Sequence, residues 1–158
     1  MNKLRRVLMI LVISMGISIP SFAAESSDET NLHEKLLDYA ALVAGGLSYN
    51  DSSNQIRELI LLSDRYTRRG GNDQQLIAIK DEYISAQAQW GAMLEYRESK
   101  AWYETRMPKR YVELVGAEGQ ARIQRDGSWL RAQMGLDSYV AKKKGKSKAL
   151  PAKTQSKQ

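Results

Sequence analysis

One run of apolar residues constrains the fold of this chain more than any other feature. Its members repeat at alternating intervals of three and four residues: Leu76, Ile79, Tyr83, Ala86, Trp90 and Met93. That spacing is typical of an α-helix that packs one face along a partner helix. No proline lies between residues 73 and 106, so one long helix can carry the whole run. The sequence therefore predicts a mainly all-α fold.

Two shorter helices are predicted before this long one. Apolar positions at helical spacing over residues 32–47 predict the first helix, and Asn31 and Glu34 fit its capping box. The second helix should cover residues 53–69, with Ser52 as its N-cap. Because the third helix is about twice as long as either, we expect an antiparallel bundle of three helices with a projecting third helix. The projecting half needs a partner, which is either the C-terminal segment or another chain.

Residues 109–140 permit two predictions, a small helical segment or a β-hairpin. As a helix, the segment places these residues on one face: Val112, Gly116, Gly119 and Ile123. The Asp126-Gly127 pair then ends that helix, and another follows. As a hairpin, residues 121–125 and 128–132 flank the same pair, which is a favoured two-residue turn. We favour the helix.

The first 23 residues have the three-part pattern of a secretory signal peptide. A positively charged start precedes an apolar run over residues 7–19, and small residues at Ser21 and Ala23 follow. We expect cleavage after Ala23, with Ala24 as the alternative. The protein would then be periplasmic or secreted. An uncleaved signal that tethers the chain to the inner membrane is the second prediction, although a full span needs about 20 apolar residues.

Charge divides the rest of the chain into a body and a tail. Residues 24–140, the predicted helical domain, contain 14 Lys and Arg against 18 Asp and Glu. Residues 141–158 contain seven lysines and no acid. This tail has little apolar surface to bury, so we predict that it is disordered. The candidate electrostatic contacts are Lys142, Lys143, Lys144, Lys146 and Lys148.

The tail's charge suits an anionic membrane surface or an acidic partner protein. A disordered tail that only aids solubility is an equal alternative. We do not expect nucleic acid as a partner, because export takes the protein away from most of it.

The cysteine, histidine and carboxylate residues of the sequence do not indicate a catalytic site. The chain has no cysteine, which excludes disulfides and thiolate metal sites. Its single histidine, His33, falls in the first turn of a predicted helix, where we expect it to be exposed and without a catalytic partner. The pairs Asp81-Glu82 and Glu95-Glu98 should form solvated ion pairs on exposed helix faces. We therefore predict no catalytic residue, no cofactor, no metal and no enzymatic activity.

Aromatic side chains carry the predicted contacts with partners. Trp102 and Tyr103 are adjacent, so they cannot both face one seam, and we expect one of them to be exposed or covered by a partner. Large side chains with a polar group are frequent at the centres of binding interfaces. The candidate partner-binding residues are Trp90, Trp102, Tyr103 and Trp129.

These features favour an exported helical protein that acts through protein–protein contacts. It would be an accessory or assembly factor of a cell-envelope system, and it can form homo-oligomers. A periplasmic holdase-type chaperone is one alternative. A cell-wall glycan-acting enzyme is another, and it would need two carboxylates that converge in a cleft.

Overall fold

The computed structural model describes the backbone of residues 19–148 and the side chains of residues 27–145. Every regular element in this part of the chain is a helix: α1 (Ile19–Gly45), α2 (Tyr49–Arg68), α3 (Gln74–Arg106) and α4 (Pro108–Lys148). The helices run up, down, up and down, and α1 also contacts α4. The prediction of an all-α fold is therefore confirmed over the described residues, with a fourth full helix in place of a small C-terminal segment.

The first helix begins earlier than predicted. α1 starts at Ile19, so Asn31 lies inside the helix and does not cap it with Glu34. Nothing in residues 24–30 breaks a helix, and the backbone therefore continues through them. Residues 1–18, which contain most of the predicted signal peptide, lie outside the described residues. The first buried side chain of the described part is Asp28, five positions after the expected cleavage point.

The second helix also begins earlier than predicted. Its N-cap is Ser48, whose Oγ accepts a hydrogen bond from the backbone N–H of Asp51 at 3.2 Å. Ser52, the predicted cap, is buried and forms a hydrogen bond of 2.7 Å with the hydroxyl of Tyr39 on α1. It also donates to Gln87 on α3. Both serines fit the capping pattern, and only the packing of α2 between α1 and α3 distinguishes them.

The third helix is the one that the sequence predicts best. α3 begins after Asp73, whose carboxylate accepts hydrogen bonds from the first-turn N–H groups of Gln75 and Leu76. Every position of the predicted apolar seam is buried except Trp90, which is half-buried. This burial confirms the prediction of an apolar seam, because α3 contacts both α2 and α4.

All four helices contribute to one core. Its buried members are Leu32, Leu36, Tyr39, Ala40, Ile56, Leu59, Tyr66, Leu76, Ile79, Tyr83, Ala132, Leu136 and Tyr139. Burial of such side chains supplies most of the favourable free energy of folding in a chain without disulfides.

The fourth helix is uninterrupted, so the hairpin alternative is wrong and so is the helix end at Asp126-Gly127. α4 packs along α3 from the Gln75–Gly135 contact to the arm. This burial outweighs the cost of about 1 kcal/mol that each interior glycine adds. At Gly135 a Cβ would lie 2.9 Å from Cγ1 of Ile79, so a larger residue there would force the packing of α4 on α3 to shift.

α3 and α4 extend beyond the other two helices. The ring of Tyr49, at the start of α2, packs against Trp90 of α3 with ring centroids 5.6 Å apart. α3 then continues for 16 residues to Arg106, about 24 Å further along its axis. We call residues 95–120 the arm. Within the arm α4 covers one face of α3, so the partner of the projecting half is the C-terminal segment.

The predicted disorder of the tail is wrong at its beginning. Residues 141–148 continue α4, since alanine and lysine favour helix and the preceding turns nucleate it. Residues 149–158 lie outside the described residues. Within the described part, no helix combines the length and the apolar character needed to cross a membrane.

Two leucines on α2 test the core. Leu59 is fully buried, whereas Leu61 is 67% exposed. We expect Leu59→Ala to lower the free energy of unfolding by about 2–5 kcal/mol, because it leaves a cavity. Leu61→Ala should change it by less than about 0.5 kcal/mol. Urea unfolding followed by circular dichroism measures both, and equal effects would contradict the described packing of α2.

Candidate functional site

An aromatic cluster fixes the root of the arm. The rings of Trp90 on α3 and Trp129 on α4 meet edge to face with centroids 5.5 Å apart. The guanidinium of Arg125 lies 4.8 Å from the Trp129 ring, and Tyr49 packs on the other side of Trp90. Aromatic pairs in this geometry add about 0.5–1.5 kcal/mol beyond the area they bury. Two of the predicted partner-binding residues, Trp90 and Trp129, thus contact each other inside the chain.

Above this root, four charged side chains link the two helices of the arm. Glu118 on α4 has a side chain that is only 8% exposed. Its carboxylate accepts hydrogen bonds from Lys100 at 3.0 Å and from Arg97 at 3.2 Å, both on α3. Arg122 lies 3.4 Å from the same carboxylate. We call these four residues the charge cluster.

The charge cluster holds Glu118 in its ionised form. The hydrogen bond from Lys100 and the positive charge of Arg97 lower the pKa of Glu118, although its burial acts in the opposite direction. Arg97 and Lys100 are the positions where the seam of α3 turns polar, as the sequence shows. The sequence analysis did not identify Glu118 as a site residue. The two cations on the seam could have indicated it, because buried or half-buried cations need an acid on the facing helix.

Exposed aromatic and apolar groups lie near the end of the arm. Trp102 is 51% exposed, and its ring packs edge-on against the half-buried Tyr103 with centroids 4.7 Å apart. The guanidinium of Arg106 lies 4.9 Å from the Trp102 ring. Met107, between the two helices, is 52% exposed. The prediction that one of the adjacent aromatics is exposed is confirmed, and that residue is Trp102.

The opposite end of the molecule contains the histidine. His33 is half-buried rather than exposed, because its ring packs on Tyr139 of α4 with centroids 5.0 Å apart. Burial, and then the charge of Lys143, lower the pKa of His33. The neutral ring is therefore the form that the fold favours. This correction depends on α4, whose Tyr139 contacts α1.

One tail lysine is part of the folded structure. Lys143 forms an ion pair of 2.7 Å with Glu29 on α1, and Tyr139 donates a hydrogen bond to the same carboxylate at 2.8 Å. The contact with Lys143 lowers the pKa of Glu29. Lys142 and Lys144 are exposed. The side chains of Lys146 and Lys148 lie outside the described residues.

One of the two predicted carboxylate pairs behaves as expected. Asp81 pairs with Lys80 at 2.7 Å, and Glu82 accepts a hydrogen bond from Arg131 of α4 at 2.8 Å. Both are ion pairs of helix surfaces, which contribute little to stability.

The other carboxylate pair lies on an open groove. Glu95 and Glu98 are exposed and line a cavity of about 450 Å³ together with Ser48, Tyr49 and Leu94. Among the described contacts no cation pairs with either carboxylate, so the predicted ion pairs are wrong for this pair. No group of three or more metal-ligating side chains occurs in the part of the chain that the structure describes.

The chain was also compared with known proteins. No family model matches it, and neither the curated proteins nor the solved structures contain a significant match.

The charge cluster can be tested with one substitution. Glu118→Gln leaves three cations without their anion, so we expect the free energy of unfolding at neutral pH to fall by about 1–3 kcal/mol. Because the pKa of Glu118 is lowered in the fold, the stabilisation is present above the ordinary carboxyl pKa. It is lost as the pH falls through the lowered value. The difference between the two proteins should therefore shrink toward acid pH in urea unfolding.

Glu113→Gln is the matched control. Glu113 lies on the same arm, pairs with Arg110 and is 62% exposed, so its replacement should cost less than about 1 kcal/mol. If Glu118→Gln cost no more than this control, the charge cluster would have no role in holding the arm.

Proposed function

We propose that this chain is an exported, non-enzymatic helical protein that binds a protein partner of the cell envelope through its arm. It would serve as an accessory or assembly factor there. The three-part pattern of the first 23 residues supports export. Cleavage after Ala23 would leave all the described buried side chains in place, since the first of them is Asp28.

The observation that carries the proposal is the exposure of Trp102 on a braced arm. A tryptophan that is half-exposed and flanked by Tyr103 and Arg106 has the composition of an interface hot spot. The charge cluster and the aromatic root hold the arm in place before any partner binds. Such preorganisation lowers the entropy cost of binding.

The basic end supports a second contact. Lys142 and Lys144 at the end of α4 are exposed, and so are Arg65 and Arg68 at the end of α2. The antiparallel topology places both helix ends beside the start of α1. Positive charge at this end suits an anionic lipid surface or an acidic protein. It also suits the tethered alternative, in which an uncleaved signal would hold the same end at the inner membrane.

The holdase-type chaperone is the second candidate, and exposed apolar side chains favour it. Val112, Ile123 and Leu61 are each about two-thirds exposed, on two different helices. Such surface binds unfolded clients without specificity. A chaperone would suppress the aggregation of unrelated unfolded proteins, whereas a dedicated assembly factor would not.

Trp102→Ala tests the proposed contact. The tagged protein is cross-linked in its native envelope and purified, and the captured partner is quantified. We expect the variant to capture about tenfold less partner or lower, because a hot-spot tryptophan is removed without loss of the core. Mass spectrometry of the same preparation should find a chain that begins at Ala24.

Leu61→Ala is the control, since it removes an exposed side chain of α2 far from the arm. It should capture as much partner as the unmodified protein. Equal capture by Trp102→Ala and the unmodified chain would rule out the arm as the binding site. Broad aggregation suppression would favour the chaperone instead.

A further inference from the structure

α4 has a second apolar face that the fold leaves uncovered. Its large side chains are all exposed, by 43% to 68%: Val112, Val115, Ile123, Leu130 and Met134. At 100° per residue they fall within an arc of about 100° on the helix. Gly116 and Gly119 lie in the same arc, together with the exposed polar residues Asp126, Gln133 and Asp137. We call the five large apolar side chains and the two glycines the outer stripe.

The outer stripe points away from the core. The buried residues of α4, among them Leu114, Ala121, Ala132 and Leu136, lie on the opposite side of the helix. The sequence groups Val112 and Ile123 on one face, as predicted, but the structure shows that this face is the exposed one. A surface helix normally has polar residues on its solvent-facing side. The apolar residues of the outer stripe therefore indicate a surface that another molecule covers.

We propose that the outer stripe binds a second copy of this chain, so that two α4 helices pack antiparallel about a two-fold axis at Ile123. A symmetric pair of this kind buries the same patch on both copies. The inference is independent of the partner contact proposed for Trp102, which lies on α3.

The sizes of the side chains fit this register. With Ile123 on the axis, each Leu130 lies opposite Gly116 of the second copy. Met134 lies opposite Val112, at the ends of the stripe. Large residues thus meet small ones, which lets two helices approach closely and interdigitate.

The charges at the ends of the stripe favour the antiparallel arrangement. Lys109 and Asp137 are both exposed, and they lie equally far from Ile123 along the helix. An antiparallel pair places each Lys109 beside the Asp137 of the second copy. A parallel pair would place lysine beside lysine and aspartate beside aspartate, which costs free energy.

The area is sufficient for a dimer. The five large side chains of the stripe expose on the order of 500 Å² on each copy. The glycines and flanking residues bring this close to the roughly 800 Å² per partner that stable interfaces bury. The stripe is about 33 Å long, so the contact would follow α4 over some six turns.

Sedimentation velocity on the full chain is the first test. We expect a dimer at micromolar concentration, and Ile123→Lys should convert it to a monomer with unchanged helical circular dichroism. Lys109→Asp should weaken the dimer at least several-fold, and Lys109→Asp combined with Asp137→Lys should restore it. A monomeric unmodified chain, or a dimer that Ile123→Lys leaves intact, would overturn the proposal.

Cysteine cross-linking fixes the geometry, because the chain has no cysteine of its own. Ile123→Cys should form a disulfide-linked dimer on mild oxidation, whereas Gln124→Cys, which points about 100° away, should not. Val112→Cys alone should not cross-link, but a mixture with Met134→Cys should. Efficient cross-linking of Val112→Cys alone would show a parallel pair and contradict the inference. The inference would also be contradicted by a monomeric chain whose outer stripe becomes protected only when anionic vesicles or another envelope protein is added.

Discussion

The antiparallel packing of α4 along α3 is the interaction on which the other features of this molecule depend. α1 and α2 cover only the part of α3 that precedes the arm, so among the described helices only α4 contacts the rest of α3. Without α4, the cations Arg97 and Lys100 on the α3 seam would have no counter-charge. Without α3, the glycines of α4 would favour a break in the helix. Each of the two helices therefore stabilises the other as a continuous helix. The arm is stable only because they pack together.

This pairing also explains how a small helical chain can carry several of the contact surfaces that we propose. One side of α4 buries Leu136 and Tyr139 in the core, and the opposite side carries the outer stripe. α3 brings Trp102 to the end of the arm, where the charge cluster holds the two helices together. The basic residues at the other end lie beside the start of α1. The proposed contact surfaces thus occupy different parts of one braced scaffold.

The sequence predicted features that depend on spacing within one helix. The bounds of α3 follow from its seam and from Asp73. The sequence also predicted that one of the adjacent residues Trp102 and Tyr103 is exposed, but not which one. Features that depend on a facing helix were missed or wrong. Ser52 fits the pattern of a helix N-cap, but it is buried against Tyr39 of α1. The role of Glu118 depends on its contacts with Arg97 and Lys100 of α3. His33 is covered by Tyr139, which lies 106 positions later in the chain, a contact that no local pattern predicts.

The continuity of α4 is the central claim, and native-state hydrogen exchange measures it directly. If packing on α3 holds α4 as one helix, the amides of residues 119–132, including Gly127, should exchange as slowly as those of residues 79–90 on α3. The amides near Asp126 and Gly127 would then open only when both helices separate. Fast exchange confined to these two residues, with slow exchange on either side, would show a turn there and contradict the account of the arm.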